Sequence, residues 1–330
     1  RFGRGVEVSR GDRVVQLVDP TRSPRAVAGM FRSGLLSPRA TAALAGWVGA
    51  GLRSAWGGPD QGLADSWDAA GFTGPLRQQV VEPFLTGVLA DDEGTTSAAF
   101  ARRLIGWFLR GTPALPAQGM AALPAQLLAG LDCRVRLGAP VERIERSAGG
   151  WTYVVGGMTR LARAVINATD PVTAARLAGV PRPRMRGLAT WWFAPEESPT
   201  DSGYLRVDAD RRGPVINAAM ISNVQASYAP AGRHLLQAST LIRRGEPQRE
   251  ADVRRHLGLL YGGAAASWTL VTSQQIPEAL PAILPGRVQP EASAGPGMVV
   301  ASDVREGSIQ GALASGQKAA NRIAAWLAMP

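Results

Sequence analysis

The sequence predicts an α/β protein, α+β in overall arrangement, and three observations lead there. Apolar residues recur at helical spacing from Pro24 to about Arg110, while alternating strand-like segments fill 184–275. The chain then closes on a strand, a carboxylate-bearing turn and a helix, from Met298 onward.

Residues 1–25 read as turns and short strands, with Val14–Val18 the best strand and Asp19-Pro20 a turn after it. Met30, Leu35, Leu36, Leu44, Trp47, Val48 and Leu52, then Phe84, Leu85, Val88, Leu89, Phe100, Leu104, Trp107 and Phe108, mark helices. Turns are expected at Ser37-Pro38, Gly57-Gly58-Pro59 and Gly71–Pro75. The run Asp91-Asp92-Glu93 lacks the spacing of a calcium loop and reads as a solvated loop. A helix from Met120 to Leu131 carries Leu123, Leu127 and Leu131 on one face. Strands follow at Val135–Leu137, Val141–Ile144, Trp151–Val155 and Ala164–Ala168. Asp170 as a cap with Pro171 behind it starts the next helix. Leu188–Phe193, Pro214–Met220 and His234–Ile242 read as strands, Pro247–Leu260 as a charged helix, and Ile276-Pro277 through Pro296 as a proline-rich crossing.

Composition removes several function classes. With 45% hydrophobic and 19% charged residues over 330 positions, the chain is globular rather than disordered. No apolar run has the length of a membrane-spanning helix, and Arg1 to Arg13 has no signal-peptide core. A cytoplasmic setting is therefore expected, with membrane association left open. The first residue is Arg rather than Met, so the chain reads as processed or as a fragment. The formal charge of +10 comes almost wholly from arginine, since Lys318 is the sole lysine. These arginines are scattered in pairs such as Arg102-Arg103, Arg211-Arg212 and Arg254-Arg255, without interleaved aromatics. That pattern argues against nucleic acid and leaves peripheral contact with an anionic membrane surface open.

Cys133 is alone, which rules out an intrachain disulfide and a cysteine zinc site; its apolar flanks read it as a buried small hydrophobe. His234 and His256 are too few for a histidine metal site and read as surface or satisfied core residues. No Gly-x-Ser-x-Gly elbow occurs. With no metal site and no nucleophile in evidence, a cofactor must carry any chemistry.

The densest signal is Met298-Val299-Val300-Ala301-Ser302-Asp303, a loop to Gly307, then Ser308-Ile309-Gln310-Gly311-Ala312-Leu313-Ala314-Ser315-Gly316. An apolar strand suits a parallel sheet, and Asp303 falls at its carboxyl end, where open α/β sheets bind ligands. Ser308 suits a helix cap that aims backbone N–H groups and the positive dipole end outward. Gly311, Ala312, Ser315, Gly316 and Ala319 keep one helix face small, whereas Ile309, Leu313, Ala320, Ile323 and Leu327 form an apolar stripe.

This stretch resembles the C-terminal flavin motif of the flavin amine oxidase, phytoene desaturase and protoporphyrinogen oxidase-like superfamily: Ala-Gly-Asp or Ala-Gly-Glu, a short loop, then Ser/Thr-apolar-x-Gly-Ala-x-x-Ser-Gly. Ala114–Pro124 with Pro140–Ile144 is similar to the entry of its second FAD-binding stretch, and Val165–Pro171 to its strand-to-turn segment beside the cofactor. Weaker matches at Phe2–Pro24 and Pro83–Val88 extend the likeness over nearly the whole chain, nearer the bacterial phytoene desaturase and protoporphyrinogen oxidase-like members than the monoamine oxidases.

The resemblance implies FAD as cofactor and a fold comprising a partial Rossmann-like FAD-binding domain lacking its first βαβ, plus a substrate domain of helices and a mixed or antiparallel sheet. The substrate domain is expected at 1–118 and 173–290, the FAD-binding remainder at 119–172 and 291–330. Asp303 is implied to bond the ribityl chain or a neighbouring phosphate, with Ser308, Ile309 and Gln310 by the pyrimidine end of the isoalloxazine. Backbone of Val141 is implied to meet the adenine, and Thr169 to sit on the adenosine side. Ser302 stands where the family usually has Gly, adding a side chain close to the ligand.

The glycine fingerprint that opens such folds is absent: Gly49-Ala50-Gly51-Leu52-Arg53-Ser54 ends in Ser, and Gly3-Arg4-Gly5 fails at its third glycine. Roughly 80–100 residues of βαβ opening and its continuation are implied to be missing. The expected activity is oxidation or dehydrogenation of a small lipophilic substrate by hydride transfer to flavin N5. The alternative is a truncated, non-catalytic remnant or binding scaffold that no longer holds FAD. No catalytic residue is assigned, and the oligomeric state stays open. Lys318 reads as a solvated helix residue; Trp191-Trp192-Phe193 reads as core packing, with tunnel lining as the alternative.

Overall fold

The computed structural model describes residues 1–18, 27–53, 60–243, 245–246, 248–286 and 294–329, so the turns expected at Asp19-Pro20 and Gly57–Pro59 lie outside the described residues. The fold is mixed α/β. The chain divides into two compact units: Arg1–Gly130 with Arg186–Leu280 and Leu284–Gly286, and Leu131–Met185 with Pro281–Ile283 and Arg287–Pro330. No helix among the described residues is long and apolar enough to cross a membrane.

The first unit is built on a seven-stranded sheet of β1 (Gly5–Arg10), β2 (Arg13–Val18), β7 (Met185–Ala194), β8 (Leu205–Asp208), β9 (Val215–Met220), β10 (Leu236–Ile242) and β11 (Thr269–Pro281), in the order β11-β7-β10-β9-β8-β1-β2. β1 and β8 run parallel; β1–β2, β8–β9, β9–β10 and β10–β7 are antiparallel. β7 alternates by the period of two, with Ala189, Trp191 and Phe193 buried between half-buried neighbours. That face packs on α9 (Glu250–Tyr261) through Val253, Leu257 and Leu260. Trp191 and Phe193 are thus core residues, as the packing reading had it, and Trp192 takes the other face half-buried.

The same unit carries α1 (Val27–Arg32), α2 (Pro38–Arg53), α3 (Leu63–Ala69), a π-helical segment at Leu76–Val81 running into α4 (Glu82–Leu89), α5 (Ala98–Arg110), α6 (Ala122–Ala129) and a single turn, α8 (Ile221–Val224). Trp47, Trp67 and Phe72 pack tilted and edge-to-face with centroids 6.0 Å apart at each step, and Trp47 Nε1 donates to Ser66 Oγ at 2.6 Å.

Two expectations change here. Asp91 is not solvated: it is buried, accepts from Thr96 N (2.7 Å) and Thr96 Oγ1 (2.6 Å), and pairs with Arg186 at 2.8 Å. A carboxylate with that many donors belongs to the turn's structure. Burial lowers the Arg186 guanidinium to about 10. Second, Thr269–Pro281 is a strand rather than the start of a crossing; it lies at the sheet edge, where Pro277 costs no interior ladder bond.

The second unit holds an antiparallel sheet of β3 (Val141–Ser147), β4 (Gly150–Val155) and β5 (Met158–Ala162), and a parallel pair, β6 (Val165–Asn167) with β12 (Met298–Val300). Its helices are α7 (Pro171–Ala178) and α10 (Ile309–Leu327). The strand expected at Val135–Leu137 does not form, and Cys133 is exposed rather than buried. Residues 131–140 have no regular structure and are almost all exposed, so their apolar side chains have nothing to pack on.

Candidate functional site

The candidate site is the carboxyl edge of the β6–β12 pair. Because the strands are parallel and in register (Val299 opposite Ile166, Val300 opposite Asn167), Thr169 and Asp303 both follow strand ends that lie side by side. Ala301 N–H donates to Asn167 O at 2.9 Å and carries the pairing one residue further. The buried Asn167 side chain locks the first turn: its Oδ1 accepts from Thr169 N–H (3.2 Å) and Thr169 Oγ1 (2.8 Å). Asp170 then caps α7, accepting from Val172 N–H (3.0 Å) and Thr173 N–H (2.9 Å). Bonds from Thr173 hold its carboxyl below the usual range.

The second turn is fixed by α10. Ser302 N–H donates to Ser315 Oγ at 2.8 Å, and Ser302 Oγ accepts from Val304 N–H at 3.3 Å. The extra side chain at Ser302 is therefore committed to the turn itself. Asp303 O accepts from Glu306 N–H (2.9 Å) and Gly307 N–H (2.6 Å). Ser308 Oγ caps α10, accepting from Gly311 N–H at 2.9 Å. A Cβ at Gly311 would fall 2.7 Å from Glu306 Cβ, so the turn closes this tightly only on glycine.

This leaves two features uncommitted. Among the described residues no other side chain bonds the Asp303 carboxylate, which is half-buried; burial pushes its pKa above the ordinary value, and only its own backbone amide opposes that. The N–H groups of Ile309 and Gln310, in the first turn of α10, have no acceptor within the helix. An electron-rich ligand with hydroxyl donors answers both needs, accepting from the amides and donating to the carboxylate.

Of the apolar stripe expected on α10, Ile323 buries and the other members do not. Gly311, Ala319 and Ile323 are the buried residues, and Ala319 with Ile323 packs on Val299 and Ala301. Ile309, Leu313 and Leu327 are 55%, 41% and 37% exposed. The small row at i, i+4 spacing lets the helix backbone close on β12 and places Ser315 against Ser302, which turns the larger residues outward. Lys318 is exposed, as a solvated helix residue should be. Val141 opens β3, on the three-stranded sheet, paired with Val155. Asn167 and Ser315 were missed by the sequence reading. A polar residue ending an apolar strand was the available signal for Asn167; Ser315 offered none.

Residues 58–324 match the family described as flavin containing amine oxidoreductase. The chain belongs to that family. The fold is shared with solved oxidoreductases. A protein from Exiguobacterium sp. 255-15, provisionally named a protoporphyrinogen oxidase, has a TM-score of 0.71 at 15% identity, over 99% of this chain and 81% of that one. Cyclohexylamine oxidase from Brevibacterium oxydans gives 0.66 at 16% identity, over 99% and 82%. Putrescine oxidase bound to putrescine gives 0.63 at 14% identity, over 98% and 82%. No curated protein matches the sequence.

Proposed function

We propose that the chain is an FAD-dependent oxidoreductase acting on a small lipophilic substrate by dehydrogenation or oxidation. The observation that carries the reading is the Asp303 turn, a half-buried carboxylate without a side-chain partner beside the open amides of α10. Bound FAD would supply the hydride acceptor, flavin N5. The chain's own residues hold and orient it. Asp303 accepts from ribityl hydroxyls; Ile309 and Gln310 present backbone N–H groups to the pyrimidine edge, with Ser308 fixing the helix start. Thr169, steadied by Asn167, serves the adenosine side, and Ser302 keeps the turn in shape. Backbone of Val141, at the start of β3, serves the adenine.

The test is an FAD titration of the purified chain, followed by flavin absorbance and fluorescence quenching, with Asp303→Asn alongside. Saturable uptake by the parent and loss in the variant support the reading.

One observation favours a second reading, in which these residues form a scaffold that does not retain FAD alone. Among the described residues the β6–β12 sheet has two strands, and Ile166 is 42% exposed on β6. Parallel sheets are normally covered on both faces and seldom so narrow. Under that reading the chain stays colourless at saturating FAD, and a version extended at its N-terminus by a glycine-rich βαβ opening turns yellow.

A further inference from the structure

We propose that the first unit carries a second ligand site, a cavity of about 460 Å³ that takes a small organic anion with an apolar body. All its lining residues lie in the first unit, so it is separate from the Asp303 turn and independent of the flavin reading.

Four arginines line the cavity; Arg212 is spent on Asp208, and the other three come from separate elements: Arg211 in the β8–β9 connection, Arg243 just past β10, and Arg255 on α9. Each is steadied by one carboxylate, Arg211 by Glu82 at 2.7 Å, Arg243 by Asp92 and Arg255 by Asp252. In each case the bond runs through Nη2 alone, which leaves the other donors of the fork for a ligand.

Exposure decides the sign of the site. The side chains of Arg211, Arg243 and Arg255 are 56%, 63% and 69% exposed, against 36% for Asp92, 21% for Asp252 and 2% for Asp208. What the cavity offers a solute is therefore mostly cation. A planar fork of donors suits a carboxylate or phosphate.

The floor is rigid and chemically spent. His256 Nε2 faces Asp208 Oδ2 at 2.8 Å, while Val215 N–H donates to Nδ1 at 2.9 Å, so neither ring nitrogen is left to act as acid or base. Arg212 bonds Asp208 from the other side, at 3.0 Å through Nη2. The chain passes so close over the imidazole that a Cβ at Gly213 would lie 2.5 Å from His256 Cγ. Pro214, Ile216, Leu241 and Leu259 supply an apolar wall. An inorganic ion has no use for that wall, whereas an alkyl or aryl carboxylate uses both wall and guanidiniums.

The experiment is isothermal titration of the whole chain at low salt, with octanoate and inorganic phosphate as separate probes. Octanoate should bind saturably and more tightly than phosphate, and should weaken about tenfold or more when Arg243→Gln and Arg255→Gln remove two charge-assisted contacts. Leu259→Asn, at a half-exposed position that tolerates polarity, should weaken octanoate and leave phosphate unchanged; circular dichroism melts confirm that each variant is folded. The proposal is overturned if octanoate gives no saturable heat, if phosphate alone binds, or if both the arginine pair and Leu259 can be changed without effect.

Discussion

Two buried or half-buried aspartates, one in each unit, separate the two halves of this molecule. Asp208 in the first unit is buried, and burial opposes its ionisation, yet bonds from His256, the Arg212 side chain and the backbone amides of Arg212 and Asp210 hold its pKa well below the usual range. Glu7 behaves likewise: burial is outweighed by bonds from Ser202, Gln16 and Arg206. Asp303 in the second unit has burial without those partners, and its pKa rises. In the first unit these two buried carboxylates are closed into internal networks of donors. In the second unit no side chain among the described residues answers Asp303, which makes it the candidate ligand residue of the proposed function.

The largest break of this comparison should come from the closed side. Arg206 is buried against Glu7, with Nε and Nη2 both on Oε2 (2.8 and 2.6 Å) and Nη1 on Leu260 O (2.6 Å). Arg206→Ala strands a buried carboxylate and should cost about 3–5 kcal/mol in urea unfolding. Next in size is Ser308→Ala, which removes the cap of α10 and should cost about 1 kcal/mol, read from the same unfolding curves. Leu313→Ala, at an exposed position of the stripe, should stay within about 0.5 kcal/mol.

The pH dependence sharpens the comparison by sign. Glu7 and Asp208, with folded pKa values below the ordinary carboxylate range, contribute stability that is present above about pH 4 and lost as pH falls below it. Asp303, with a raised folded value, contributes stability that is full below that range and lost as pH rises through its own pKa. Asp303→Asn should therefore leave the melting temperature at pH 7 unchanged or higher, and have no such benefit at pH 3. A lower melting temperature at pH 7 would mean that Asp303 has a structural partner and is no ligand residue.

Much of the fold was legible because local chemistry decides it. Asp170-Pro171 starts α7 and Ser308 starts α10 by side chain–backbone bonds spanning two or three residues. β9 and β10 were legible as apolar runs. β8 was not, since Leu205–Asp208 is four residues long and half charged, and β11 was not, because its exposed polar edge carries no alternation. Asp91 looked solvated among three acids because its partner Arg186 comes from a distant strand. In the site, Asp303 and the capped helix were readable from order and spacing. The bonds Thr169–Asn167 and Ser302–Ser315 were not, for they depend on which side chain the folded turn brings within reach. The outward turn of Ile309 and Leu313 reflects a tertiary choice, small residues against β12, that periodicity alone ranks the other way.

The most direct test of the flavin reading is the FAD affinity of this chain beside that of Asp303→Asn, by quenching of flavin fluorescence. Loss of a charge-assisted bond of about 1.5–3 kcal/mol predicts weakening on the order of 10- to 100-fold, with the melting temperature at pH 7 not reduced. Equal affinity in the two proteins, or no uptake by either a folded parent or its N-terminally extended form, would contradict it.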